Sequence, residues 1–408
     1  MRIAYLTQPY PPMVSGASIV AEQLAQEMAN RGHEVLVIAA SEKQHAYTQT
    51  EGNLTVIRLI SINNPLRVGQ KILLAPRRKV LQALRDFQPD VIHAHEPVQM
   101  GSPGREYARQ SCIPITMTTH QLPWFVASYL PDKFGIRKIV EAALWKYASW
   151  LTKEFSSVIS PTQTISRIIK SKTGTKPRTI SYGIDLQIFH SHSSAEEEIA
   201  TRCQFDLPLN APIILHTGRL DTDKSVERVI LAAGAAIRES DAYLLVVGDG
   251  NQKRSLIQLC RSLGIESRVH FTGFISNKEE LARIYRISSV FVTASEIETQ
   301  GIAILEAAAS GLPIVAVKAT CIPEIVQHGV NGYLANPGDI DAMSRCIAKI
   351  LSNPAKACEM KLKSRAIAEK FRAEVTFAKH ERLYKQMIRQ KSRQAFAPEK
   401  PAKNPLYV

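Results

Sequence analysis

Glu298 and Glu306 are the residues whose spacing most invites chemistry. They stand eight apart within residues 289–310, SVFVTASEIETQGIAILEAAAS. The run Val290, Phe291, Val292, Thr293 is β-branched and aromatic and reads as a buried parallel strand. The alanine-rich end reads as a helix. Between them a turn carries Glu296, Glu298, Gln300 and Gly301, so Glu298 falls on the loop and Glu306 in the first two turns of the helix. Such a unit presents a ligand at the carboxyl end of a sheet, over free helix N–H groups that favour negative charge. Two carboxylates there repel a bare phosphate, and each also suits a solvated turn or helix position. As acceptors, they have room for two hydroxyl donors apiece.

Arg219 and Lys224 make a second constellation, in the loop of IILHTGRLDTDKSVERVILAA. Two cations between a strand and a helix suit a diphosphate, Arg by its planar fork and Lys as a point charge. A third set follows two successive strands: PDVIHAHEP delivers His95 and Glu96, and ITMTTHQLPWF delivers His120. A lone histidine at a strand end is commonly structural, but two polar ends on one sheet edge point to a site. At the start of the chain, IAYLT runs through QPYPPMVSGAS into a helix expected from about Ser18 to Arg31. Gly16 lies in that turn, without a full G-x-G-x-x-G fingerprint.

The E-x7-E pair in SEIETQG, the G-R-L-x-x-x-K run and the GID segment resemble the retaining glycosyltransferases of the GT4 family, which have the GT-B fold. The SETQG form is most similar to bacterial diacylglycerol glucosyltransferases. The resemblance implies an α/β chain of two doubly wound, Rossmann-like domains facing across a cleft. It implies that Glu298 holds hydroxyls of the donor sugar and Glu306 the ribose. Backbone amides of Thr299, Gln300, Gly301 and Ile302 would meet the sugar and diphosphate, which Arg219 and Lys224 neutralise. His120 would position the reacting groups, and the amide edges near Phe274 and Ile275 would meet the uracil ring. Family members commonly have two adjacent glycines in the first loop; here only Gly16 stands, behind Ser15. The implied donor is a nucleotide sugar, UDP-glucose, with no obligatory cofactor and no metal, since side-chain cations can stabilise the leaving diphosphate. Asp221 and Asp223 flank Thr222, but the family gives that loop to Arg and Lys.

The alternation of strand and helix signals places a first, acceptor-side domain over residues 1–188 and a polar, acidic linker over 189–205. A nucleotide-sugar domain follows over 206–372, then a terminal helix over 373–391 crossing back to the first domain, and a disordered basic tail over 392–408. Six scattered cysteines without a C-x-x-C pair argue for reduced thiols in a cytosolic compartment and against a zinc site. No run approaches a membrane span, and MRIAYLTQPYPP reads as strand and turn, not as a signal peptide.

The unusual quantity is a formal charge of +14, with 22 basic against 13 acidic residues through His190 and 29 against 24 beyond it. Arg77, Arg78 and Lys79 form a basic cluster in residues 66–87, expected to be helical with a break or restart at Pro76. All three tryptophans, Trp124, Trp145 and Trp150, fall in residues 124–150, together with Phe125, Tyr129, Phe134 and Tyr147 and interleaved with Lys133, Arg137, Lys138 and Lys146. That composition suits either a membrane interface or a core coated by cations. With the resemblance, it implies a lipid acceptor such as diacylglycerol, reached from an anionic membrane surface to which the enzyme binds peripherally on the cytoplasmic side. A polysaccharide or soluble acceptor, or a nucleotide-sugar epimerase, would share the fold. A nucleic-acid partner would use the charge but leave the Arg219, Lys224, Glu298 and Glu306 set idle.

Overall fold

The computed structural model describes residues 1–13, 15–64, 71–127 and 135–395. Short, apolar, β-branched runs form parallel strands, the central ones buried on both faces, as helical crossovers require. By their contacts these residues form two compact units: Met1–Thr118 with Trp150–Ile159 and the chain from Phe377 on, and Thr119–Ser149 with Ser160–Thr376. Residues 119–149 and 160–188 therefore group with the second unit, whereas the sequence reading carries the first domain through 188 and places the linker over 189–205.

In the first unit the strands run in the order Ser157–Ser160, Ile115–Thr118, Val91–Ala94, Arg2–Leu6, Glu34–Ala40, Leu54–Leu59, Tyr47–Glu51. All pair in parallel except the last, which is antiparallel to its neighbour. Leu6 faces Ile38 on one side and Ala94 on the other. The first helix spans Gly16–Asn30, two residues earlier than expected, because Ser15 and Ser18 form a reciprocal capping box. Gly16 is thus the first helical residue, not part of the loop.

The basic region departs from its expected helix. Lys71–Leu73 pairs antiparallel with Ser61–Asn63, and the helix begins only at Arg77, spanning Arg77–Phe87. Pro76 stands at its N-cap with φ −70°, the position where a missing N–H does no harm. The acidic linker is likewise partly helical, over Ala195–Gln204. Ser194 caps it, and Glu196, Glu197 and Glu198 lie in its first turn, where carboxylates favour the positive end of the helix dipole.

In the second unit six parallel strands run in the order Val269–Gly273, Tyr243–Val247, Ile213–Thr217, Val290–Thr293, Ile314–Val317, Gly332–Ala335. This is the doubly wound order whose direction reverses between Ile213–Thr217 and Val290–Thr293. Ligands of such sheets bind beyond the carboxyl ends of the strands at that reversal. The loops that leave these two strands carry Arg219 with Lys224 and Glu298, and Glu306 lies in the helix Ile302–Ala309 that follows the second loop. The terminal helix spans Ala373–Ala395. The expected tail lies outside the described residues from 396 on.

Candidate active site

The loop after Ile213–Thr217 is held close to its neighbour by glycine. Gly218 has φ 155° and Gly248 φ 138°, and a Cβ on Gly248 would fall into the Gly218 carbonyl. Leu220 N–H donates to the Asp249 carbonyl at 2.9 Å, and Gln252 N–H donates to the Leu220 carbonyl at 2.9 Å. So anchored, the loop turns through Thr222–Lys224 into the helix Val226–Arg238. Lys224 Nζ then lies 2.6 Å from Glu298 Oε1. The sequence places these two residues 74 positions apart, and the sheet brings them into an ion pair.

Arg219 is engaged differently. Its guanidinium donates to both carboxylate oxygens of Asp223, at 3.0 and 2.7 Å, and also to Asp221. Asp223, only 2% exposed, is the more deeply set partner. The expected pair of cations is therefore already neutralised by acids, and a diphosphate would have to exchange with those acids or add to them.

Beyond Val290–Thr293, the Glu298 backbone is fixed on both sides. Its N–H donates to Thr320 Oγ1 at 3.4 Å, and the buried Cys321 thiol donates to its carbonyl at 3.2 Å. Thr320 has φ 40°, a left-handed conformation that is an outlier for a β-branched residue and that often marks a site. Gly301, with φ 84°, opens the helix Ile302–Ala309, and no side chain caps that end. A Cβ at Gly301 would stand 2.9 Å from Ile304 Cδ1. Glycine thus fits both the turn and the uncapped helix start, beside Thr299 and Ile302.

Glu306 projects from this helix to the fully buried Tyr285, whose hydroxyl donates to its Oε2 at 2.9 Å and lies 2.6 Å from Thr217 Oγ1. Burial pushes the Glu306 carboxyl up to about 7, although the Tyr285 hydrogen bond opposes the rise. The group is poised to change charge near neutrality and to accept hydroxyl donors once ionised.

His120 sits beside the same loop. Its Nδ1 lies 2.9 Å from the Tyr182 hydroxyl, and the two rings stack with centroids 5.4 Å apart. Burial lowers the imidazole to about 4, so it is neutral at physiological pH. Gln300 explains why Tyr182 is held. Fully buried, its side chain accepts from Tyr182 N–H at 2.5 Å and donates to the Tyr182 carbonyl at 3.3 Å. Its side chain faces inward, so what it offers a ligand is backbone.

Sequence reasoning did not single out Tyr182, Tyr285, Thr217, Asp223's grip on Arg219, Thr320 or Cys321. Tyr285 lies on the buried face of the amphipathic helix Lys278–Ile287, where periodicity signals core and nothing signals a hydroxyl aimed at a carboxylate. The remaining candidates stand apart from these contacts. Phe274, half exposed, and Ile275 follow Val269–Gly273, whose last residue accepts from Gly248 N–H at 2.9 Å. Gly16 belongs to the first unit.

The weaker candidates are taken up by structure. Both Glu96 oxygens accept backbone N–H groups, from Val98 and Met100 at 2.7 Å each. His95 is buried and stacked on His93, centroids 4.3 Å apart. Of the tryptophans, Trp145 is core, clustered with Leu122, Ile165 and Ile169, and Trp124 packs against that cluster; Trp150 is half exposed. Arg77 is exposed and donates to both Glu106 oxygens, at 2.9 and 2.6 Å. Tyr129, Lys133 and Phe134 lie outside the described residues.

Two family profiles match the chain: "Glycosyltransferase Family 4" over residues 14–188 and "Glycosyl transferases group 1" over residues 198–370. A GDP-mannose-dependent alpha-mannosyltransferase of Mycobacterium tuberculosis is 30% identical over 346 residues, 84% of this chain and 85% of its own length. An alpha-monoglucosyldiacylglycerol synthase of Streptococcus pneumoniae is 26% identical over 359 residues, 87% of this chain and 79% of its own. Among solved structures, the Anabaena protein HepE in complex with UDP-glucose superposes with a TM-score of 0.74 at 23% identity, covering 96% of this chain and all of that one. The order of strands, the loops at the reversal of the second sheet and these likenesses agree: the chain is a glycosyltransferase of the GT4 family with the GT-B fold.

Proposed function

We propose that the protein transfers glucose from UDP-glucose, with retention at the anomeric carbon, to a lipid acceptor such as diacylglycerol at the cytoplasmic face of a membrane. The observation that carries the reading is the Lys224–Glu298 pair, set 2.6 Å apart beside an uncapped helix start. A cation and an acceptor carboxylate so placed suit the diphosphate and the sugar hydroxyls of one donor. On binding, Lys224 turns to the diphosphate, and Glu298, released, accepts sugar hydroxyls. Negative charge grows on the departing diphosphate. Lys224, Arg219 and the N–H groups at the start of Ile302–Ala309 stabilise it in the transition state, where such preorganised groups act most strongly. Glu306 takes the ribose, and Phe274 and Ile275 border the base. Neutral His120, oriented by Tyr182, positions the reacting groups.

The S. pneumoniae relative supports the lipid acceptor, as does the basic excess of the first half. The M. tuberculosis relative favours a second reading, with GDP-mannose as donor. One assay separates them: turnover of UDP-glucose and GDP-mannose, each with and without diacylglycerol. Release of UDP that needs diacylglycerol, with a glucosyl lipid as product, is the expected result. Turnover of GDP-mannose alone would replace the donor, and turnover without any lipid would replace the acceptor.

A further inference from the structure

The strand Ile213–Thr217 ends in two polar residues that leave it on opposite faces, because side chains alternate along a strand. On one face Thr217 Oγ1 lies 2.6 Å from the Tyr285 hydroxyl, which donates to Glu306. On the other stands His216, 1% exposed. Its Nδ1 lies 2.9 Å from the Val292 carbonyl of the neighbouring strand. A carbonyl only accepts, so Nδ1 carries the proton. Burial lowers the imidazole to about 4. The ring is therefore neutral at physiological pH, and Nε2 is a bare acceptor.

That acceptor is fully buried and has no hydrogen-bond partner among the described residues. Leaving such an atom unpaired is costly, and each exception in a folded protein calls for a reason. Its surroundings supply one. A Cβ on Gly218 would stand 3.6 Å from Nε2, so the nitrogen lies where the chain leaves the strand for Arg219, and glycine puts no side chain there. The charges of both Lys224 and Glu298 act on the ring. His93, at the matching end of a strand in the first unit, has both ring nitrogens engaged, at 2.6 and 2.7 Å. His216 keeps one acceptor in reserve beside the ion pair.

Chemistry says what it takes. A bare ring nitrogen repels phosphate oxygens, which are acceptors too, and calls for an O–H donor. Thr217 and Tyr285 serve the ribose side from the opposite face of the strand. Beside Lys224 and Glu298, the hydroxyls a nucleotide sugar presents are those of the transferred sugar. We propose that His216 Nε2 accepts a hydroxyl of the donor sugar once the donor parts Lys224 from Glu298, which makes His216 a residue that selects the sugar. The inference rests on the donor-site reading above and adds to it a contact that holds the sugar and leaves the nucleotide alone.

The test is calorimetric binding of UDP and of UDP-glucose to the full chain. His216→Phe keeps a ring and removes the acceptor. It should bind UDP-glucose about fivefold to tenfold more weakly than the wild type, and UDP equally well. His216→Gln, which still presents an acceptor, should recover most of the loss. The singly deoxygenated forms of UDP-glucose read the contact itself. One of them should bind His216→Phe and the wild type alike, since the substitution then removes a partner already missing. Should His216→Phe fail to fold, His216→Leu carries the same comparison, with heat protection by UDP as the check on folding. Unchanged affinity for UDP-glucose would overturn the proposal. So would an equal loss for UDP and UDP-glucose, which gives the nitrogen to Lys224, or a full loss with every deoxy donor, which gives it to a buried water. A wild type that binds GDP-mannose and not UDP-glucose would overturn the donor reading instead, and GDP with GDP-mannose then puts the same question to His216.

Discussion

The two units treat the polar residues at their strand ends in opposite ways. In the first, His93 lies between the Tyr384 hydroxyl at 2.6 Å and Thr118 Oγ1 at 2.7 Å. His95 stacks on it, and Glu96 spends its oxygens on backbone N–H groups. In the second, Lys224 and Glu298 pair with each other and remain partly exposed, and Arg219 is forked by two acids. Groups bound to backbone and buried rings are saturated and cannot exchange. Partly exposed ions that pair with each other can hand their partners to a ligand at little loss. Strand-end polarity alone does not mark a site; an exchangeable partner does.

The largest test of that contrast is Lys224→Ala, which should lower kcat by roughly 10²–10³ with a smaller rise in KM, because leaving-group charge develops along the reaction. Arg219→Ala should act in the same direction, more weakly, since Asp221 and Asp223 already hold its charge. Glu298→Gln should lower turnover and leave UDP affinity unchanged. A raised KM with unchanged kcat for Lys224→Ala would show uniform binding and break the comparison.

Next is Glu306→Gln, which should weaken UDP binding by about 1.5–3 kcal/mol, as expected for a lost charge-assisted acceptor. Titration calorimetry at several pH values sharpens this. The wild-type carboxyl takes up a proton as pH falls through about 7, so affinity should decline below that point, and Glu306→Gln should show no such decline. The sign for stability is opposite. The native state holds this proton more tightly than the unfolded chain, so the carboxyl's contribution is present below its ordinary 4.5 and gone above about 7.

In the first unit the expected effects fall on stability. His93→Ala leaves the Tyr384 hydroxyl buried without that partner and should destabilise by roughly 1–3 kcal/mol, with UDP affinity intact. Glu96→Gln, which keeps one carbonyl acceptor, should lower stability by about 1 kcal/mol and leave turnover alone. Thermal unfolding with and without UDP checks both. A loss of UDP protection in either variant would give the first unit's strand ends the role assigned to the second's.

Much of this was legible in the residues. The strands Glu34–Ala40 and Val290–Thr293 announce themselves as apolar, β-branched runs, because parallel strands covered on both faces need no polar alternation. The E-x7-E pair straddles a loop and a helix start as its spacing requires. Even the missed helix Ala195–Gln204 carried its signal, a serine cap followed by three acids; its polarity concealed it. What tertiary structure alone decided is which charges meet. Lys224 and Glu298 come together because two strands distant in sequence are neighbours in the sheet. Burial pushes the Glu306 carboxyl up to about 7, against the opposing Tyr285 hydrogen bond. The Gln300 side chain clamps the Tyr182 backbone, a contact across 118 positions that its place in the loop did not announce. Sequence patterns report periodicity and composition, which fix elements and their faces; desolvation and hydrogen-bond partners depend on distances across the fold, which no local pattern encodes.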